Sequence, residues 1–222
     1  MNLKFVYNRL KAMRLGIATA VLAMATLSVQ AQQAEHRNPN VRLGQKALLS
    51  GDFKSAIVHL EKALPAEAND PDVLYLLGYS QFQSGNFRQS AESFEKVIAL
   101  DAKNANAYYY KAKANNILAV SSESKLSDGE REQLLQSSII DYTQAIAVNA
   151  NDAKLYQNRA IAYRDLGILK GTSGTASYNK TVAADAYTKA ITDYEKVLTY
   201  DAARKDIRTE IKKASVYRDN LK

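Results

Sequence analysis

The strongest constraint on the fold is an internal repeat in the first half of the chain. The tetrapeptide Ser-Gly-Asp-Phe at residues 50–53 returns as Ser-Gly-Asn-Phe at residues 84–87, and Glu-Lys at residues 61–62 returns at residues 95–96. Both pairs return after the same interval. A fixed period of this length is typical of repeat proteins, in which each unit buries its apolar surface only against its neighbours. The chain is therefore expected to consist of stacked copies of one small motif.

Each copy has the pattern of a helix, a tight turn and a second helix. The turn carries glycine followed by Asp or Asn. After the turn, apolar residues recur at helical spacing, at Phe53, Ala56, Ile57, Leu60, Ala63 and Leu64. The next block repeats this spacing over residues 87–98, and no segment shows the sustained alternation of a strand. The sequence therefore predicts an all-α fold.

Residues 71–104 resemble a tetratricopeptide repeat almost from end to end. The residues that carry the resemblance are Leu74, Leu77, Gly78, Gly85, Phe87, Phe94, Leu100 and Asp101. Small residues, which let paired helices approach closely, recur in four successive blocks. They are Gly44, Gly78, Ala112 and Ala160 on the first helices and Ala56, Ser90, Ser138 and Ala190 on the second. The resemblance implies a right-handed superhelix of antiparallel helix pairs.

Four repeats are expected, at residues 37–70, 71–104, 105–152 and 153–204, followed by a capping helix at 205–222. The first two have equal length, whereas the third and fourth are longer and so carry insertions, which we place near the turn between the paired helices. Ser127 and Glu130 form a capping-box pattern that predicts a long helix reaching about Val148. Residues 171–175 are glycine-rich and predict a loop before a helix that reaches Tyr200.

Two positions depart from the family pattern within the first helices of the later repeats. Lys111 and Arg159 stand where the family has a leucine. A charged side chain cannot fill an apolar contact without a partner, so the packing of these two helices is expected to differ from the first two repeats.

The N-terminal residues 1–31 read as a secretory signal peptide, followed by a linker at 32–36. A basic start precedes an apolar run of fifteen residues, 15–29, and the pattern predicts cleavage after Ala31. The alternative is a membrane anchor, but a spanning helix needs about 20 apolar residues. The chain is thus expected to be exported, to the periplasm in a Gram-negative source and otherwise to the outside. It has no cysteine, which excludes a cysteine-linked lipid anchor and disulfides.

Net charge argues against nucleic acid as a partner. The full chain has a formal charge of +7, but four of its basic residues and none of its acidic ones lie in residues 1–31. The remainder of the chain therefore has a charge of only +3. Non-specific binding to phosphates requires a much broader basic face. The C-terminal helix is locally basic, and we interpret it as a polar cap on the repeats. The alternative is weak contact with an acidic partner or an anionic lipid surface.

No catalytic, cofactor or metal site is predicted. The two histidines, His36 and His59, are distant in sequence, and without cysteine neither a zinc site nor a Cys-His nucleophile is indicated. No phosphate-binding glycine loop or hydrolase elbow is present in the sequence. The chain is therefore expected not to be an enzyme.

In repeats resembling these, the first helix of each pair lines a concave groove that receives a partner peptide or helix. Carried onto this sequence, the candidate binding residues are Arg42, Gln45, Tyr75, Tyr79, Phe82, Tyr109, Tyr110, Lys113 and Asn158. Tyrosine suits such a surface because it offers a ring and a hydroxyl with few rotatable bonds. For Tyr75, Tyr79 and Tyr109 the alternative is a partly buried structural contact. Five further tyrosines are assigned to the core: Tyr108, Tyr142, Tyr156, Tyr187 and Tyr194.

The expected function is that of a non-catalytic scaffold or adaptor of the cell envelope, which binds a partner protein in the groove. The alternative is a structural subunit of an envelope assembly that contacts its partners through the insertions of repeats three and four. The family's basic clamp for a C-terminal carboxylate is not expected, because two tyrosines stand where the clamp would have Lys and Asn.

Overall fold

The computed structural model describes residues 36–221. The signal peptide expected at 1–31, nearly all of the linker and Lys222 lie outside these described residues. Within residues 36–221 the chain forms nine α-helices, one short 3₁₀ helix and no strand. The α-helices are α1 (Pro39–Leu49), α2 (Phe53–Glu67), α3 (Pro71–Gln83), α4 (Phe87–Leu100), α5 (Ala105–Val120), α6 (Asp128–Val148), α7 (Ala153–Gly171), α8 (Lys180–Tyr200) and α9 (Lys205–Asp219).

Local sequence sets where the helices begin. The side chain of Asp70 accepts hydrogen bonds from the backbone N–H groups of Asp72 and Val73, which would otherwise lack a partner. Pro71 follows at the first helical position, where its missing N–H costs nothing. The tight turns that precede α2 and α4 contain Gly51 and Gly85 at φ of 77° and 80°, a conformation that L side chains rarely adopt. The repeated glycines of the sequence are thus the turns of the repeat.

Successive helices pack as antiparallel pairs into an all-α solenoid, as the sequence predicts. The predicted small residues lie at the helix contacts: Gly44 faces Leu60 and Gly78 faces Phe94. A Cβ at Gly78 would lie 3.1 Å from the Phe94 ring, closer than an ordinary van der Waals contact. Hydrophobic clusters follow one another along the stack, from one around Val41 in the first pair to one around Tyr187 in the last.

The insertions lengthen both the helices and the connections of the later pairs. Helices α3 and α4 have 13 and 14 residues, whereas α5 and α6 have 16 and 21, and α7 and α8 have 19 and 21. The connections within the later pairs lie at residues 121–127 and 172–179, against 50–52 and 84–86 in the first two pairs. Two causes are visible in the sequence: the chain has no proline after Pro71, and the capping box of Ser127 and Glu130 starts α6 as expected.

Charged partners explain how Lys111 and Arg159 replace a leucine. The Lys111 ammonium lies 3.0 Å from the carboxylate of Glu95 and 3.4 Å from that of Asp141. The guanidinium of Arg159 binds Asp193 through two parallel hydrogen bonds. Asp141 and Asp193 occupy equivalent positions on the second helices of repeats three and four. The later repeats therefore replace an apolar contact with a buried ion pair.

The last helix, α9, packs on α8 through its buried residues Ile207 and Ala214, as expected of a cap. Part of its positive charge is balanced locally. Its ion pairs are Arg204 with Asp206, Lys213 with Glu210 and Arg218 with Asp219. No helix within residues 36–221 combines the length and apolarity needed to cross a bilayer.

Candidate partner-binding surfaces

Four of the predicted groove residues meet in one aromatic cluster, formed by Tyr75, Tyr79, Phe82 and Tyr110 around the buried Phe94. Tyr110 of α5 is its centre. The Tyr110 ring centroid lies 5.4 Å from those of Tyr79 and Phe82 and 6.2 Å from that of Tyr75, in edge-to-face geometry. The same ring stacks on Phe94 at 5.4 Å with an interplanar angle of 13°. The cluster therefore braces α3 against α5.

The cluster is partly buried and partly exposed. Burial raises the pKa of Tyr75 to about 12, and the neighbouring hydroxyls of Tyr110 and Tyr79 add to this shift. Burial also raises the pKa of Tyr110. Each of the four cluster residues nevertheless keeps part of its surface accessible. A binding role and a structural contact are thus compatible for Tyr75 and Tyr79, because part of each ring packs in the cluster and another part stays exposed.

Tyr109 has a different position. It is only 4% exposed and packs with Ala112, Tyr142 and Leu155. The ammonium group of Lys154 lies 4.2 Å from the centroid of the Tyr109 ring. Lys113 of α5 lies 5.7 Å from the same centroid, and its Nζ is 3.5 Å from the Tyr109 hydroxyl. Tyr109 therefore supports the two lysines and offers little surface of its own to a partner.

Of the four remaining predicted residues, Arg42, Gln45 and Asn158 are not part of the cluster. Arg42 donates hydrogen bonds to the backbone carbonyls of His36 and Arg37, which ties it to the N-terminal segment. The Asn158 amide donates to the carbonyl of Lys154 in its own helix. Gln45 is partly buried on α1. Lys113 joins the edge of the cluster, with its Nζ 5.5 Å from the centroid of the Phe82 ring.

The tyrosines assigned to the core divide into two groups. Tyr142, Tyr187 and Tyr194 are buried, as predicted. Tyr108 and Tyr156 are only partly buried, at the margin of the same clusters. The hydroxyl of Tyr156 reaches the surface and donates a hydrogen bond to the carbonyl of Ala150.

A second surface lies at the insertions, where the long helices α5, α6 and α7 leave a cavity of ≈350 Å³. We call it the insertion cavity. Its apolar walls come from Ala119, Val120, Leu135, Ile168 and Leu169. Val120 and Ile168 are 53% and 45% exposed, so two large aliphatic side chains stand at its mouth. No sequence motif indicates this cavity, because its walls come from three helices; the only local signal is an apolar residue near the end of α5 and of α7.

Hydrogen bonds hold the walls of the insertion cavity in place. The guanidinium of Arg131 donates to the carbonyls of Ala119 and Ser121, which closes the connection between α5 and α6. The hydroxyl of Ser177 donates to Asp128 at 2.8 Å and so fastens the connection after α7 to the start of α6. The connection at residues 172–179, which includes most of the predicted glycine-rich loop, is thus anchored at Ser177.

Comparison with known proteins agrees with the helix pairs and the turns described above. Residues 47–115, which include the whole of the second helix pair, match the family model of the tetratricopeptide repeat. This part of the chain therefore consists of tetratricopeptide repeats. In the frame of its repeats, the aromatic cluster lies mainly on the first helices of repeats two and three. The insertion cavity lies where the helices of repeats three and four are longer than those of the first two repeats.

Relatives and solved structures share the fold. Hsp70-Hsp90 organizing protein 3 from Arabidopsis thaliana is 27% identical over 175 residues, which cover 72% of this chain and 27% of that protein. The chain thus spans about a quarter of the length of this curated relative. A MamA RS-1 double mutant matches with a TM-score of 0.63 and 18% identity, covering 85% of this chain and 89% of its own. MamA 41-end from Desulfovibrio magneticus RS-1 matches with a TM-score of 0.51 and 18% identity, covering 85% and 95%. At these identities the two structures establish the fold alone.

Proposed function

We propose that this tetratricopeptide repeat protein is a non-catalytic scaffold that binds an extended peptide or a helix of a partner protein against the aromatic cluster. The observation that carries the proposal is the cluster itself: four half-buried rings on adjacent first helices, each with an accessible part. Rings held in this way offer a large contact area at a low cost in conformational entropy. Such anchored aromatic residues are the ones that dominate binding energy in protein interfaces.

The signal sequence expected at residues 1–31 supports a site of action in the cell envelope. The partner would then be another exported protein or the exposed part of a membrane protein. The near-neutral charge of the chain without residues 1–31 favours a protein partner over nucleic acid. The similarity to Hsp70-Hsp90 organizing protein 3 from Arabidopsis thaliana agrees with a scaffold role.

The proposal is tested by capture from an envelope extract with the purified protein and a Tyr79→Ala/Phe82→Ala variant. Loss of these two rings should reduce the captured partner at least ~10-fold, because two anchoring contacts of ~1 kcal/mol or more each are removed. Tyr217→Ala is the matched control, since Tyr217 is 48% exposed and lies on α9. Thermal melts of all three proteins show whether the fold is intact. Undiminished capture by the folded double variant would refute partner binding at the aromatic cluster.

The insertion cavity supports a second candidate function, a structural subunit whose partner inserts an aliphatic side chain between α5 and α7. The supporting observation is the pair of exposed residues Val120 and Ile168 at its mouth. In the same capture experiment, Val120→Asp/Ile168→Asp separates the two candidates. A partner lost with this variant and retained with Tyr79→Ala/Phe82→Ala binds through the insertions.

A further inference from the structure

Three metal-ligating side chains come together where the N-terminal segment meets the turn between α2 and α3. They are His36, Glu67 at the end of α2 and Asp70 at the start of α3. Each offers one ligand atom, and these three atoms all lie within 4.8 Å of one another. His36 Nε2 lies 3.6 Å from Asp70 Oδ2. The spacing along the chain hides this group, because Glu67 and Asp70 follow His36 by about one repeat.

The neighbouring residues hold two of these ligands in place. One oxygen of Asp70 caps α3 through the N–H groups of Asp72 and Val73, which leaves Oδ2 directed at the imidazole. The side-chain amide of Asn38 donates a hydrogen bond to Glu67 Oε1 at 3.2 Å. Oriented carboxylates of this kind are typical of metal sites, in which a second layer of hydrogen bonds positions the ligands.

The donor set selects the class of ion. One imidazole nitrogen and two carboxylate oxygens suit Zn²⁺ or a similar divalent transition metal, whereas Mg²⁺ and Ca²⁺ favour oxygen ligands only. Ligands of a tetrahedral zinc ion lie about 3.3 Å apart, given bonds of about 2.0 Å. The observed group therefore needs only small side-chain movements to enclose an ion. An open depression of ≈600 Å³, lined by residues 65–72, leaves space for water at the remaining position.

We propose that His36, Glu67 and Asp70 form a binding site for a divalent transition metal ion of the Zn²⁺ type, which fastens the N-terminal segment to the first junction between repeats. The proposal departs from the expectation that no metal site can be assembled, which considered only histidine and cysteine partners. The three ligands come from three separate segments, so the ion links α2, α3 and the residues before α1. It stabilises the folded state, because the unfolded chain does not hold the three groups together.

One hydrogen bond competes with the ion. Asn38 donates its backbone N–H to His36 Nδ1 at 3.2 Å, which places the proton of the neutral imidazole on Nε2. Coordination through Nε2 moves that proton to Nδ1 and displaces the bond from Asn38. The affinity is therefore expected to be lower than that of a structural zinc finger.

The test is calorimetric titration of the untagged full chain with ZnCl₂, and in parallel with MgCl₂. One equivalent of Zn²⁺ should bind, and His36→Ala and Glu67→Gln should each weaken binding at least ~10-fold. Asp70→Asn is the most informative variant, because Asn still caps a helix but ligates poorly; it should bind Zn²⁺ weakly while keeping its melting temperature without metal. The chain offers its own control in His59→Ala, since His59 is the only other histidine.

Nuclear magnetic resonance of the two imidazole rings locates the ion independently of stability. Addition of ZnCl₂ should shift the ring signals of His36 and leave those of His59 in place. The proposal is overturned by the absence of stoichiometric Zn²⁺ binding, by unchanged affinity in folded His36→Ala or Asp70→Asn, or by equal binding of Mg²⁺. Shifts confined to His59 would overturn it as well.

Discussion

Arg159 and Asp193 form a two-pronged ion pair across the fourth helix pair, with an Nε–Oδ2 distance of 2.7 Å and an Nη2–Oδ1 distance of 2.8 Å. Their side chains are only 17% and 6% exposed. The equivalent positions of the second repeat hold Leu77 and the small residue Ser93. The same chain therefore contains two solutions to one packing position, one ionic and one apolar.

Removal of one member of this pair is predicted to be costly. Asp193→Ser should lower the free energy of unfolding by about 3 kcal/mol, because it leaves the Arg159 guanidinium largely buried beside no acid. The double variant Arg159→Leu/Asp193→Ser, which copies the second repeat, should lie within about 1 kcal/mol of the wild type. Urea denaturation of the single and double variants measures both values. Equal losses in the single and double variants would contradict the prediction, because removal of the unpaired guanidinium would then restore no stability.

Asp141 is predicted to make stability depend on pH. Burial raises its pKa to about 6, against the opposing effect of the Lys111 ammonium. Because the folded carboxyl holds its proton more tightly than the unfolded one, the contribution of Asp141 is complete below about pH 4 and is lost as the pH rises through about 6. The loss should be on the order of 2 kcal/mol.

The comparison of wild type with Asp141→Asn isolates this effect from the other carboxyl groups. Urea midpoints measured at intervals from pH 4 to pH 7 should converge or cross as the wild type loses this contribution. Carbon-13 titration of the Asp141 carboxyl should show its midpoint near pH 6. Parallel pH profiles of the two proteins would contradict the prediction.

Gly167 on α7 is predicted to tolerate no side chain. A Cβ there would lie 2.7 Å from the ring of Tyr187, which is itself buried. Gly167→Ala should therefore destabilise the protein by about 1–3 kcal/mol through overpacking. Gly129 provides the matched control, because it also lies in a helix and its Cβ would meet nothing within 4 Å. Gly129→Ala should be neutral or stabilising by up to about 1 kcal/mol, and thermal melts compare the two.

The capping box at the start of α6 is predicted to contribute measurably to stability. The hydroxyl of Ser127 accepts a hydrogen bond from the N–H of Glu130, and the Glu130 carboxylate accepts one from the N–H of Ser127 at 2.8 Å. Ser127→Ala should cost about 1 kcal/mol, because one N–H loses its partner. The exposed Ser173 serves as control in the same chemical denaturation experiment, and its replacement by Ala should change little.

The fixed period of the first two repeats was sufficient to predict the fold, because each repeat packs only on its neighbours and each small residue marks a helix contact. The capping box likewise predicted where α6 begins, since a cap acts within one turn of helix. The long helix α6 was predicted, whereas the lengthening of the first helices α5 and α7 was not. An insertion between two recognisable helices has no period of its own, so its residues gave no indication of which helix they extend.

The candidate site was predicted in part. Tyr75, Tyr79, Phe82 and Tyr110 were expected on one face, because first-helix positions of adjacent repeats point the same way. The burial of Tyr109 was considered only as an alternative, since it depends on Tyr142 in the following helix. Asp141 and Asp193, which pair with Lys111 and Arg159, were missed for a similar reason, because each lies on the following helix, beyond an insertion whose course the sequence does not indicate.

The lengthened helix pairs also change the width of the repeat array. A helix of 21 residues such as α6 is about 31 Å long, against about 21 Å for the 14 residues of α4, so the array widens by about 10 Å at the third repeat. Val120 lies ten residues beyond Tyr110 on α5, about 15 Å further along the helix axis. The two proposed binding surfaces are therefore about three helical turns apart on α5, so a peptide that contacts only the rings would end before it reaches Val120.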